Sequence, residues 1–332
     1  VTALDTTAAG LTRSRSVLRH LVRRNVWTLG LLGILAVLLV VTKIIQPSYG
    51  PAAIQGLAIS VLPLAFAAVA QTCAVLGKGI DLSVGSMMAF TSVVAAAMME
   101  DRGEAFAVLV VIGVLLLGVV IGAVNGALVV FTRVPDIVVT LAMLFVWAGA
   151  ALLVLQRPGG GSADWLSGLT SGHLLTQWIP KAAVVLVVVI AVVWVPIRRT
   201  RLGLSLYAVG SDALAAFRSG VSVGRTKIFS YMLCGLFSAL AGLSLTASTG
   251  IGTPVPGPYT LMSVAAVVLG GVSLAGGRGG VFGPVVAVVI LSLLRTDMTF
   301  LNVNTNLATV AQGVILVVVV MVGSLIQLRR EQ

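Results

Sequence analysis

The chain has 332 residues, 58% of them hydrophobic and only 9% charged, with a formal net charge of +11. A water-soluble domain has about a quarter of its residues charged, so this composition and a mean hydropathy of +1.12 exclude an ordinary soluble enzyme and indicate an integral membrane protein. The basic excess does not indicate nucleic acid, because the basic residues sit beside apolar runs in a topological pattern.

Apolar runs of about 17–25 residues suffice to cross a ~30 Å hydrocarbon core as helices, and the ten-residue alternation of a β-barrel is absent. The expected fold class is therefore an all-α integral membrane protein of about ten transmembrane helices. A basic tail, 1–25, carries Arg13, Arg15, Arg19, Arg23 and Arg24. The apolar run behind it is longer than that of a signal peptide and lacks a small-residue cleavage site, so it reads as an uncleaved first span. The predicted spans are 26–45, 52–76, 83–99, 105–130, 136–155, 181–197, 227–249, 260–275, 280–296 and 307–327. They form one transmembrane domain over 26–327, with a polar cytoplasmic segment at 198–226 and a short tail at 328–332. With the amino terminus inside, 16 of the 21 Lys and Arg residues lie inside and 5 outside, the asymmetry of the positive-inside rule. An even number of spans keeps Arg329 and Arg330 inside, so both termini are expected to be cytoplasmic.

Between the second and third spans lies Gly77-Lys78-Gly79-Ile80-Asp81-Leu82-Ser83-Val84-Gly85-Ser86. Asp81, with Ser83, is placed at the membrane boundary to cap the helix that begins there, and Gly77 and Gly79 to permit a tight reversal. Gly79, Asp81, Ser83 and Gly85 define this helix junction. Gln71, Asn125 and Thr140 are polar groups within apolar spans. Each needs a partner there, either a neighbouring helix or a solute in a water-filled path. The longest outside loop, 156–180, contains His173 without a partner, and Trp178 beside Pro180 and Lys181 as an interfacial anchor.

The segment 198–226 is the longest polar stretch between spans. Gly210 is placed to end the preceding element, Ser211 or Asp212 to cap a short helix running from Ala213 through Leu214, Ala216 and Phe217, and Gly220 to close it after Arg218 and Ser219. The overlapping Gly220-Val221-Ser222-Val223-Gly224 matches a nucleophile elbow in letters alone, since no strand precedes it and the only histidines are His20 and His173. Further on, Gly270-Gly271 and Gly276-Gly277-Arg278-Gly279-Gly280 indicate close packing or a strained reversal. No GxxxxGK[ST] or HExxH pattern and no metal-ligand spacing is present, and Cys73 and Cys234 read as small buried hydrophobes.

Four of these motifs, in this order, resemble those of the ribose/galactoside-type permeases of bacterial ABC importers: Gly79 to Ser86, Asn125-Gly126 with Pro135-Asp136-Ile137-Val138-Val139-Thr140-Leu141, Ala208 to Val221, and Ala265 to Gly279. The resemblance implies a type II importer fold, similar to the cobalamin importer class, in the bacterial inner membrane. It implies a second permease subunit, an ATPase with two nucleotide-binding cassettes, and an extracytoplasmic binding protein. ATP and Mg would bind the ATPase, and this chain would carry no cofactor and no catalytic residue. The substrate class it implies is monosaccharides, including pentoses, galactose-type sugars and autoinducer-2. The segment from Gly210 to Gly220 resembles the family's ATPase-coupling loop, with departures at Asp212, Leu214 and Phe217, where asparagine, glutamate and arginine are usual; Lys78, in the junction motif, stands where glycine is usual. The competing reading is an ion-coupled secondary transporter. That mechanism uses acids or cation sites near the midplane, whereas all ten carboxylates fall at span ends and loops in this topology.

Overall fold

The computed structural model describes residues 26–304 and scattered helical positions between 307 and 321. Most of the predicted tenth span, 307–327, lies outside the described residues, as do the tails 1–25 and 328–332.

The described residues are helical, and extended pairing is limited to the isolated bridges Gly159–Gly252 and His173–Pro180. In order, the helices are α1 (Val26–Ile45), α2 (Pro51–Leu76), α3 (Val84–Met99), α4 (Glu104–Thr132), α5 (Asp136–Val154), α6 (Asp164–Thr170), α7 (Lys181–Val189), α8 (Val195–Arg199), α9 (Arg201–Ser211), α10 (Ala213–Arg218), α11 (Val223–Thr249), α12 (Tyr259–Leu269) and α13 (Phe282–Phe300). Among the described residues seven spans are long and apolar enough to cross a membrane: α1, α2, α4, α5, α7 with α8, α11 and α13. α3 and α12 are shorter apolar helices.

Two departures from the sequence expectation have local causes. The expected span 260–275 is helical only over Tyr259–Leu269. Gly270 packs on Gly283 and Pro284, and Gly271 takes φ +77, so the chain turns away. The helix covers roughly half the ~30 Å hydrocarbon thickness at ~1.5 Å per residue. Between α7 and α8 the span passes through a π-helical turn, Ile190–Trp194. Pro196 lacks an N–H and its ring displaces the carbonyl four residues back, and the Val195 N–H reaches instead to Ile190 O.

The core is built around α2 and α11, the two most deeply buried long spans. α11 packs along α4, α2 and α3. The α4 contact is made by glycines spaced four apart: Gly118 and Gly122 meet Gly235 on α11, and Gly126 meets Ile228 and Tyr231. A Cβ at Gly122 would strike the Tyr231 carbonyl oxygen, and one at Gly235 the Gly118 carbonyl oxygen, so the two backbones touch. α3 is tied to α11 by the Ser92–Thr246 hydroxyl pair at 2.8 Å. α1 runs along the outside and is fastened by Trp27 Nε1 donating to Leu269 O at 2.9 Å.

Candidate functional site

α9 and α10 lie at the end of the bundle where α2 finishes and α11 begins. Gly210 does not end a helix, because α9 continues through Ser211. Gly210 instead lets α9 touch the Leu76 carbonyl and Gly277, where a Cβ would not fit. Gly277 N also donates to Leu76 O at 3.2 Å, so the end of α2, the end of α9 and the 270–281 glycine loop meet at one point. Tyr207 Oη donates to Gly279 O at 3.2 Å and adds a second tie to that loop. Burial pushes the Tyr207 phenol above its ordinary value, the nearby Arg198 partly opposing this, so it remains a donor.

Asp212, not Ser211, caps α10: its Oδ1 accepts from Leu214 N at 2.8 Å and Ala215 N at 3.0 Å. Gly220 takes φ +83 at the far end. Within α10, Ala216 is buried against the rest of the chain, whereas Leu214 and Phe217 are 59% and 67% exposed. Ala216 is thus the anchor, and the apolar surface offered outward is Leu214 and Phe217. Arg218 and Ser219 are also exposed, and Ser219 Oγ donates to Ala215 O at 2.9 Å.

The junction between α2 and α3 departs further from expectation. Asp81 is fully buried rather than placed at a boundary. It does not cap α3, whose N-cap Ser83 makes no side-chain capping bond. Asp81 Oδ1 accepts from Ser83 N at 2.8 Å and Ser83 Oγ at 2.6 Å, and Oδ2 faces Cys234 Sγ at 3.6 Å. Gly77 and Gly79 do not provide the reversal either: the left-handed residue is Lys78, at φ 62. The two glycines instead make room, Gly77 for Ser230 and Gly79 for Asp136 and Tyr231. Gly85 lies against Thr260, whose Oγ1 accepts from Gly85 N at 3.0 Å.

Gln71, Asn125 and Thr140 all converge on this junction. With its amide nitrogen facing the Asp81 carbonyl, Gln71 donates there at 2.8 Å and accepts from Asp81 N at 3.3 Å. Asn125 Nδ2 donates to Ser83 Oγ at 2.8 Å, and its Oδ1 accepts from Trp147 Nε1 at 3.1 Å. Thr140 Oγ1 accepts from Leu82 N and lies against Ile80 O, both at 3.1 Å. All three are fully buried; Gln71 and Thr140 hold the loop backbone, and Asn125 holds the Ser83 hydroxyl. Sequence reasoning did not anticipate Cys234, Trp147 or Tyr231; the available signal was a polar atom on each that needs a partner when buried.

Beside the junction, Lys227 Nζ donates to both Asp136 oxygens at 2.9 Å, and Tyr231 Oη donates to Asp136 Oδ2 at 3.1 Å. Lys227 belongs to the first turns of α11, a few residues beyond α10, and Asp136 opens α5. Continuous contact therefore runs from α10 through Lys227 and Asp136 to Gly79 and the Asp81 knot.

At the opposite end of the bundle is a cavity of about 710 Å³ between the start of α2, the end of α11, the start of α12 and the end of α13. Ser60, Ser248, Thr249, Ser292, Arg295 and Thr296 supply its polar lining, with Tyr259 and Met262 on its apolar side. Gln71, Asn125 and Thr140 do not line it.

A family model described as branched-chain amino acid transport system / permease component matches residues 53–320. The ribose import permease protein RbsC of Escherichia coli strain K12 is 34% identical over 269 residues, covering 78% of this chain and 82% of RbsC. The Bacillus subtilis strain 168 protein of the same name is 33% identical over 292 residues, covering 86% and 89%. The autoinducer 2 import system permease protein LsrD of Escherichia coli O9:H4 is 28% identical over 267 residues, covering 79% and 80%. No solved structure matches the chain. A match over residues 53–320, a range that includes the junction, the α9–α10 unit and the glycine loop, makes this chain a member of the branched-chain amino acid transport system permease component family.

Proposed function

We propose that this chain is the transmembrane subunit of a bacterial ABC importer, passing a monosaccharide delivered by an extracytoplasmic binding protein. ATP hydrolysis takes place on a separate ATPase with two nucleotide-binding cassettes, and a second permease subunit completes the path. The names of the relatives, ribose and autoinducer 2 import permeases, support the substrate class. The charge asymmetry supports an orientation in the inner membrane with both termini and α9–α10 in the cytoplasm. On this orientation the 710 Å³ cavity opens outward, and its size and hydroxyl-rich wall suit a small polyol.

The observation that carries the coupling role is α10, a short Asp-capped helix fixed by buried Ala216 that leaves Leu214 and Phe217 unpartnered. A helix so held transmits a rigid-body push to α11 and the junction. The ion-coupled reading gains nothing from buried Asp81, because both of its oxygens face donors from the chain itself.

Phe217→Asp tests the coupling role in the assembled transporter. Removal of an aromatic anchor from an interface costs more than ~1.4 kcal/mol, about tenfold in affinity. Stimulation of ATP hydrolysis by loaded binding protein and sugar uptake should both fall by at least about that factor. Unchanged stimulation and uptake would show that α10 does not dock the ATPase.

A further inference from the structure

A second cavity, about 870 Å³, lies at the α9 end of the bundle between the start of α1, the span α7–α8 and the glycine loop. Its floor is backbone: Gly270, Gly271, Gly279, Gly280 and Gly283 present no side chains. One wall is the π-helical turn, where Pro196 adds a residue and spreads Ile190, Ala191 and Trp194 along the groove. The opposite wall is Trp27, whose indole rests on Gly271. Val187 and Phe282 are 65% and 59% exposed, so the groove opens sideways along the membrane-facing surface.

The mouth is charged. Arg198 lines it, with its guanidinium 5.9 Å from the Tyr207 ring. No carboxylate among the described residues lines the groove. Among the described residues the only ion pair is Lys227–Asp136, so Arg198 has no carboxylate partner among them. Arg199 and Arg201 follow it, and Arg278 precedes Gly279 in the floor. An apolar trough with an unpaired cation at headgroup depth and two indoles is complementary to a lipid that carries negative charge.

We propose that this groove binds an anionic phospholipid, its acyl chain lying along the π turn and its phosphate paired with Arg198. Assignment to the cytoplasmic leaflet rests on the orientation proposed above; the site itself does not. The smooth floor is what admits the chain, since even one added side chain at Gly280 would project into open space there.

The test uses the full-length chain in detergent, titrated with phosphatidylglycerol or phosphatidylcholine and followed by native mass spectrometry and thermal unfolding. The wild-type chain should retain phosphatidylglycerol and melt at a higher temperature with it than with phosphatidylcholine. Arg198→Glu should weaken phosphatidylglycerol binding by about tenfold or more, since each basic residue near an anionic headgroup contributes ~1 kcal/mol and the substitution reverses it. Gly280→Leu should abolish retention by filling the trough while leaving Arg198 in place. Equal binding of the two lipids by the wild-type chain would overturn the proposal. So would undiminished phosphatidylglycerol binding by both variants, or a changed oligomeric state in the variants with lipid retention intact, which would make the groove a protein contact. Sugar uptake is not read in this experiment, so its result is independent of the transport assignment.

Discussion

Asp81 holds Ser83 N and Ser83 Oγ on one oxygen and faces Cys234 on the other, with no ion pair to it among the described residues. Removing the carboxylate strands buried donors, each costing about 1–3 kcal/mol. Asp81→Ala should therefore lower the melting temperature in detergent clearly. Asp81→Asn, which keeps one acceptor oxygen for Ser83, should lower it less. Equal melting of both variants and the wild-type chain would mean that the carboxylate is not a structural tie. Lys78 illustrates a residue-level departure with a visible consequence. It occupies the left-handed region at φ 62, and a side chain there costs about 1–2 kcal/mol. What could be read in the sequence at this scale was need rather than partnership. Gln71, Asn125 and Thr140 were recognisable as polar groups within apolar runs, which must be satisfied somewhere. That Gln71 and Thr140 grip the loop 80–82 while Asn125 holds the Ser83 hydroxyl beside it depends on how α2, α4 and α5 pack, and periodicity carries no information about that. Asp81 was read as a boundary cap because its chain position is a junction; the junction folds back between helices, so chain position and depth part company.

Helix packing turns on which glycines are contacts and which are not. Gly118, Gly122 and Gly126 share a face of α4 with no room for a Cβ, whereas Gly113 on the same helix has nothing within 4 Å. Gly122→Leu should separate α4 from α11 and destabilise the chain by at least the ~1–3 kcal/mol of overpacking. Gly113→Leu should leave folding intact. The comparison is made by yield and melting temperature of the monodisperse protein; equal behaviour of the two variants would show that the glycine stripe is not the interface. Long apolar helices were legible because their length and composition suffice. The brevity of α12 was not, since Val272 to Ala275 continue an apolar stretch and only the φ +77 turn at Gly271 and the Gly270–Gly283 contact end the helix. The π turn likewise follows from Pro196 inside a span, a residue the sequence shows but whose accommodation it does not. By contrast, α10 was legible in detail, because a cap, a short apolar helix and a closing glycine are local features that need no tertiary knowledge.

At the scale of the molecule, the polar cavity and the α9–α10 unit occupy opposite ends of the same helices. The start of α11 follows α10, and the end of α11 walls the cavity. α2 does the same in reverse: Gly56 to Leu64 line the cavity, and Leu76 meets Gly277 and Gly210. Rigid-body displacement of α10 would therefore reach the cavity along two continuous helices, without requiring a moving loop in between. This arrangement predicts that the two ends fail differently. Thr249→Trp places a bulky ring at the cavity, on an exposed position at the end of α11. In the assembled transporter it should block sugar uptake while leaving co-purification with the ATPase and basal ATP hydrolysis at the wild-type level. Phe217→Asp should impair association with the ATPase itself, with no steric change at the cavity. If Thr249→Trp transports normally, the cavity is not the outer part of the path. If it loses the ATPase together with uptake, the two ends are not separable functions of one helix, and the reading of α11 as a rigid connector falls.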